Sequence, residues 1–335
     1  MSRPKHRVWM LGLGFLVFCT MLYFPILFSF RPPMVEWLTM KRDLRYYVSE
    51  LNDTAIISPI ETCLASPDNE LLIIVVVCSS IENMAARVAI RATWGSPATY
   101  NQSQFRLIFF LGRSENDSSQ ASIFRESEEY GDIVQEDFID TYNNLTLKSV
   151  MMLLWVGRHC QRARFLLKTD DDTFVHLEAL RTALKQRDQP NLLLGSLICG
   201  AIPIKDRKSK WYSPSSMYRE NVYPNYLSGT AYVVSRDLIR PLFKTALETP
   251  FFHLEDIFIT GICARKNRIR PQDHIGFSYQ RRRMDPCLFR RVITSHRMNP
   301  NDMRRMWYQM HHEEGICNVT RKMRLRNYNP QRCFV

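Results

Sequence analysis

"RFLLKTDDDTFVHL", Arg164 to Leu177, runs an apolar stretch, Phe165 to Leu167, into three consecutive carboxylates, Asp170, Asp171 and Asp172. Apolar residues resume at Phe174. The leading run reads as a buried strand and the acids as the turn at its carboxyl end. Adjacent carboxylates repel, and each is costly to desolvate unless something positive shares the site. The acids therefore either sit in water on a turn or hold a cation.

The segments on either side decide what kind of strand this is. "LLIIVVVCSS", Leu71 to Ser80, is a continuous β-branched run, as expected of a strand buried on both faces. "NMAARVAIRATWG" follows with helical spacing and stops at Gly95, and "FRLIFFLG" is a second buried strand ending at Gly112. "ASIFRESEEYGDIVQEDF" reads as helix then strand, and "TLKSVMMLLWVGRHC" as helix. "LEALRTALKQR" is a helix facing the core through Leu177, Leu180 and Leu184, and "LLLGSLI" a strand. Buried strands alternating with helices predict an α/β fold with a mainly parallel sheet covered on both faces. Ligands of such sheets bind outside the carboxyl ends of the strands, where the three aspartates lie. Beyond Gly200 the pattern turns irregular and aromatic (Trp211, Tyr212, Tyr218, Tyr223, Tyr226), as suits a substrate cleft. The sequence has no internal repeat, no G-x-G-x-x-G and no Walker A loop, so nucleotide binding would fall to carboxylates and a metal.

The chain has 335 residues, 45% hydrophobic and 23% charged, enough for a sizeable core. A net charge of +12 favours anionic partners. Nucleic acid is set aside because of the N-terminus. Val8 to Phe30 is an uncharged run of 23 residues, long enough to span a bilayer as a helix and too long for a signal-peptide core. Basic residues flank both sides, so charge alone leaves orientation open. Five N-x-[ST] sequons, at Asn52, Asn101, Asn116, Asn144 and Asn318, all follow the span and fit a lumenal body. Of nine cysteines, Cys19 lies in the span; the other eight permit up to four disulfides in an oxidising compartment, and no C-x-x-C pair suggests zinc. The expected organisation is a cytosolic tail (1–7), a transmembrane signal anchor (8–30), a stem (31–69) and a lumenal catalytic domain (70–335).

A hard divalent cation takes oxygen ligands, and adjacent carboxylates at a strand end supply them. "KTDDDTF" resembles the metal-binding signature of the beta-1,3-galactosyltransferase family, which includes beta-1,3-N-acetylglucosaminyltransferases. "RATWG" (from Arg91), "FFLG" (from Phe109), "EDFIDTYNNLTLK" (from Glu136), "KWY" (from Lys210), "YPNYLSGTAYVVS" (from Tyr223), "LEDIFITGIC" (from Leu254) and "CLFRRVITSH" (from Cys287) follow the family's blocks in order. The resemblance covers residues 70 to about 310. Leu227 and Ala231 depart from it, standing where relatives often carry Cys and Gly.

The resemblance implies a glycosyltransferase A fold, a single-pass type II protein of the Golgi membrane, Mn²⁺, and inverting transfer from UDP-galactose to the 3-hydroxyl of an acceptor glycan on glycoprotein or glycolipid. It implies Asp170, Asp172 and His296 as metal ligands, with His274 the local competitor for the histidine, and Asp256 as the base that deprotonates the acceptor. An acidic pair before an apolar run also reads as a helix N-cap. Glu255 favours galactose, since galactosyl members tend to read E-D here and N-acetylglucosaminyl members D-D. Arg87, Arg91, Lys168, Asp170, Asp171 and Gly229 are the donor-binding candidates; Trp211, Tyr212 and Glu255 the acceptor-binding ones. Trp94 reads as core or as a ligand contact. UDP-N-acetylglucosamine as donor, and a catalytically silent lumenal sugar-binding protein, are the alternatives.

Overall fold

The computed structural model describes residues 40–51, 54–63, 73–97, 104–187 and 189–312, with Cys317 and Cys333. The chain divides into two compact units, Met1–Met40 and Lys41–Val335. The first lies, except for Met40, outside the described residues, and the apolar run 8–30 with it. Among the described residues no helix is long and apolar enough to cross a membrane.

The second unit is built on strands β1 (Ala55–Ile57), β2 (Ile73–Cys78), β3 (Phe105–Arg113), β4 (Ile133–Ile139), β5 (Phe165–Asp170), β6 (Phe174–Val175), β7 (Leu193–Ile198), β8 (Tyr226–Ser235), β9 (Gln272–Asp273) and β10 (Thr294–Ser295). Eight of them form one sheet in the order β1-β4-β3-β2-β5-β8-β7-β9, and β6 pairs with β10 apart from it. β2 is buried at every residue and runs parallel to both β3 and β5, as its unbroken β-branched sequence predicts. The parallel register stops at β8, which lies antiparallel to β5 and to β7. An all-helical alternation would have kept the sheet parallel. The segment before β8 is irregular, and an antiparallel return needs no helical crossover.

Helices α1 (Met84–Arg91), α2 (Asp117–Tyr130), α3 (Leu145–His159), α4 (Leu177–Lys185), α5 (Arg236–Leu247) and α6 (Pro300–His312) cover the sheet. Odd-numbered strand residues such as Val75, Phe109 and Leu167 share one core with Ile90, Leu180 and Met303, hence with α1, α4 and α6. α3 and α5 pack together on the other side, against β3 and β8. α1 ends at Arg91, four residues short of Gly95. Gly131, at φ 64, ends α2 in the left-handed conformation that favours glycine.

The stem boundary at residue 69 needs correcting. Residues 41–63 belong to the body: Leu44 and Val48 are buried, β1 pairs with β4, and Arg42 exchanges backbone and side-chain hydrogen bonds with Phe251. The Cys63–Cys160 disulfide fastens the same segment. Cys199–Cys333 and Cys287–Cys317 are the other bridges, and Cys78 and Cys263 are buried thiols, pushed up to about 12 by burial. A soluble fragment starting at Glu70 should therefore be less stable by about 2–5 kcal/mol than one starting at Lys41, from the lost 97-residue covalent loop and the lost strand. Thermal unfolding of the two fragments, with thiol titration of Cys160, tests this. Equal melting temperatures would return 41–63 to the stem.

Of the sequons, Asn52, Asn101 and Asn318 lie outside the described residues. Asn116 is exposed at the N-cap of α2, its Oδ1 accepting from the Ser118 and Ser119 amides. Asn144 is a correction. It is 7% exposed, its Nδ2 donates to the Ile139 carbonyl, and Thr146 of the same sequon is fully buried, so a glycan on Asn144 does not fit the folded body.

Candidate functional site

Asp170 is the last residue of β5 and stands opposite Cys78, the last of β2. The chain then turns, Thr173 N donating to the Asp170 carbonyl, and enters β6. β6 is only two residues long, but its pairing with β10 sets Ser295 opposite Phe174 and so carries the next residue, His296, to the acidic turn. Met298 N donates to the Asp172 carbonyl and closes the same corner, while Arg297 between them takes a left-handed φ of 59°. His296 Nε2 lies 3.2 Å from Asp172 Oδ2, and its Nδ1 sits 2.8 Å from the Tyr279 carbonyl. Since a carbonyl only accepts, Nδ1 carries a proton, and Nε2 is the nitrogen turned to the acidic turn, the one that would face a cation held there.

One ligand atom each from Asp170, Asp172 and His296 fall within 4.8 Å of one another. Two carboxylate oxygens and one imidazole nitrogen, the latter oriented by a carbonyl behind it, fit a hard or borderline divalent cation. Burial would lower the His296 imidazole, but Asp172 outweighs it and the net shift is upward. Asp170 is pushed up to about 6 by burial, against the pull of Lys168. His274 accepts from Gly276 N and stands outside this group.

Asp256 caps a fully buried π-helix, Ile257–Cys263, accepting from Ile257 N through Oδ1. Its Oδ2 accepts from Gly229 N on β8. The N-cap reading and the functional reading thus coexist in one side chain. Burial pushes the Asp256 carboxyl up to about 6, with the Glu255 charge adding to it against the two amides. At Gly229 a Cβ would stand 3.2 Å from Glu255 Oε2 and 3.3 Å from Asp256 Cβ, so glycine is what lets the acid pair close on the strand.

Lys168, on β5, joins the two halves of the site. It is 2% exposed, and its Nζ donates to Asp170 Oδ1 and to the Gly229 carbonyl, each at 2.6 Å, with Glu255 Oε2 at 3.7 Å. Burial works against its charge, yet Asp170 and Glu255 hold its pKa well above the ordinary value. Its ammonium is thus engaged within the protein, and it positions ligands instead of meeting the donor phosphates.

Several assignments change. Arg87 is fully buried and spends all five donors on Glu126, Ser79 Oγ and the Ser80 and Ile81 carbonyls. Arg91 pairs with Glu126 and Asp132 and lies over the Tyr130 ring. Neither is left for a diphosphate. Asp171 points inward, accepting from Ser79 Oγ and Asn83 Nδ2. Because Ser79 also takes a bond from Arg87, the arginine holds the acidic turn from behind. Glu255 is 6% exposed and accepts from Tyr232 Oη at 2.7 Å, so it does not reach an acceptor. Trp94 is core, at 1% exposure. Trp211 stays half exposed, whereas Tyr212 is half-buried in a bridge to Ile204.

Sequence reading passed over Tyr142 and Tyr232, and left Tyr226 among the aromatic residues of the cleft without a role. Burial first and the Asp256 charge second raise Tyr142 to about 12, and they also raise Tyr226. Tyr142 lay in plain view inside the "EDFIDTYNNLTLK" block.

Residues 85–274 match the family model described as Galactosyltransferase. Human beta-1,3-galactosyltransferase 1 is 37% identical over 241 residues, 71% of this chain and 73% of that one. Human beta-1,3-galactosyltransferase 2 is 37% identical over 260 residues, 75% of this chain and 61% of that one. Among solved structures, a galactosyltransferase in complex with donor and acceptor sugar analogs aligns over 55% of this chain and 68% of that one, at 13% identity and a TM-score of 0.32, too loose a match to bear on the site.

Proposed function

The chain belongs to the galactosyltransferase family, and from that premise we propose that it transfers galactose from UDP-galactose to the 3-hydroxyl of an acceptor sugar with inversion, forming a beta linkage. The observation that carries this reading is the junction at Gly229: its carbonyl meets the lysine that holds Asp170, and its amide meets Asp256. A candidate ligand cluster and a candidate base are thereby tied to the two backbone polar groups of one residue, Gly229, the cluster through Lys168.

Asp170, Asp172 and His296 would hold the divalent cation, Mn²⁺ in our reading, whose chemistry is to offset the charge that gathers on the UDP pyrophosphate. Asp256 takes the proton of the acceptor hydroxyl at a carboxylate oxygen. The freed oxygen bonds to the anomeric carbon from the face opposite UDP, the bond from that carbon to the phosphate oxygen breaks, and UDP leaves. A pKa of about 6 suits the task, being basic enough to accept the proton yet ionised at neutral pH. Glu255 supports galactose indirectly. Galactosyl members of the family tend to read E-D here, and in this chain Glu255 Oε1 accepts from Tyr232 Oη at 2.7 Å while Oε2 lies 3.7 Å from Lys168 Nζ. The finer assignments, a Golgi membrane anchored through residues 8–30 and a glycoprotein or glycolipid acceptor, rest on the family and the sequence.

Incubation of the 41–335 fragment with Mn²⁺, UDP-galactose or UDP-N-acetylglucosamine, and an array of acceptor glycans tests the reading. Turnover of UDP-N-acetylglucosamine alone would replace the donor, and sugar binding with no turnover of either would make the protein a silent lectin. With saturating cation, kcat/KM should be half-maximal near pH 6, level off about one unit above it and fall about tenfold per pH unit below it, because only ionised Asp256 accepts the proton. A profile flat down to pH 5 would assign the proton to another group.

A further inference from the structure

The loop that ends in "KSKWY" closes on itself. Ile204 bridges Tyr212, Ser213 N donates to the Ile204 carbonyl, and Tyr212 N donates to Ser209 O. Closure leaves Lys210 and Trp211 at the tip. Lys210 Nζ lies 4.8 Å from the centroid of Trp211 and 5.4 Å from that of Tyr142, and both rings are 48% exposed. Tyr142 comes from a different part of the chain, the turn just before α3, so two segments meet to build one aromatic corner with a cation on it.

The loop is also strongly basic. Lys205, Arg207, Lys208 and Lys210 stand against Asp206 alone. Lys205 is tied to the Ser213 carbonyl, but Arg207, Lys208 and Lys210 are exposed and form no ion pair with a carboxylate among the described residues. Aromatic faces of this kind hold the apolar face of a pyranose, and a lysine above them selects for a negative group beside that sugar.

Building on the transferase reading above, we infer that Tyr142, Trp211 and Lys210 form the acceptor subsite, and that the acceptor is an anionic glycan bearing a carboxylate or sulfate ester next to the sugar that is extended. Tyr142 and Trp211 contact the sugar and Lys210 contacts its anionic neighbour. The chain just before Tyr142 is tied to the acidic turn, Lys148 Nζ donating to Asp140 Oδ2 and to the Ser79 carbonyl while Ser79 Oγ donates to Asp171.

The test uses equilibrium binding, which does not depend on turnover. Calorimetry of the 41–335 protein with UDP and Mn²⁺ compares a neutral galactoside with the same glycan carrying a sulfate ester. The sulfated glycan is expected to bind about fivefold more tightly, and the advantage to disappear at high salt and in Lys210→Met. Trp211→Ala is expected to weaken both glycans about tenfold. A preference unchanged in Lys210→Met overturns the inference. So does weaker UDP binding in that variant with glycan binding intact, which would give Lys210 to the donor diphosphate. Lysine-dependent sedimentation with phosphatidylserine vesicles, without glycan preference, also overturns it by assigning the loop to a membrane surface. Failure of the transferase reading is scored separately, as no release of UDP from UDP-galactose with any acceptor.

Discussion

Asp256→Asn is expected to lower kcat by a factor of about 10² to 10⁴, the range over which a positioned base contributes, while UDP binding with Mn²⁺ persists. The carboxylate accepts two backbone hydrogen bonds, from Gly229 N at 3.1 Å and Ile257 N at 2.9 Å. An asparagine offers one oxygen, so one of those amides would face an NH₂ group, at a cost of about 1–3 kcal/mol. The comparison must therefore include a melting curve, to separate a lost base from a loosened β8. Donor KM should change little, because Asp170, Asp172 and His296 are untouched. Retention of more than about a tenth of the wild-type kcat would remove Asp256 as the base. Asp172→Ala provides the contrast: it strips a ligand from the Asp170–Asp172–His296 group, so metal-dependent UDP binding and transfer should fall together.

The strands that could be read from sequence are those whose burial is written in contiguous residues. Ile73–Cys78 and Phe165–Leu167 are apolar at every position because both faces of the parallel strands are covered. β8 defeated the same reading. Its "SGT" centre breaks the β-branched pattern, and the reason is functional, since Gly229 must admit the Glu255–Asp256 pair. The element hardest to predict thus carries the contact between base and lysine. The carboxylates of the site were legible because aspartates after a strand are costly without a purpose, and His296 became legible only through resemblance, as its approach depends on a two-residue β6–β10 pairing. Asn144 shows the reverse failure. A sequon is a local signature, whereas burial under the turn into α3 is a tertiary fact.

Arg87 is the sharpest case of a charge misread from sequence, and it yields the largest expected effect on stability. A cation just inside a helix beside the strand ends looks like a phosphate ligand. Its partner Glu126 lies 39 residues away on α2, beyond any local pattern. Arg87→Met leaves Glu126, whose side chain is 1% exposed, with Arg91 as its remaining ion pair, and takes a donor from the Ile81 carbonyl and from the half-buried Ser80 carbonyl, which keeps Asn83 N. Breaking a buried pair from one side typically costs about 3–5 kcal/mol, and that loss is expected in denaturant unfolding. Burial works to raise the Glu126 carboxyl, but Arg87 and then Arg91 hold it below the ordinary value, so the stability it contributes is present above the unfolded-state carboxylate pKa and lost as pH falls through the depressed one. The substitution should accordingly flatten part of the wild-type acid-unfolding transition. Ser79, released from Arg87, still bonds Asp171, so Mn²⁺ affinity should weaken less than stability does. A donor-binding arginine would behave the other way round, with an unchanged melting curve and a raised KM for the nucleotide sugar. That result would return Arg87 to the cleft.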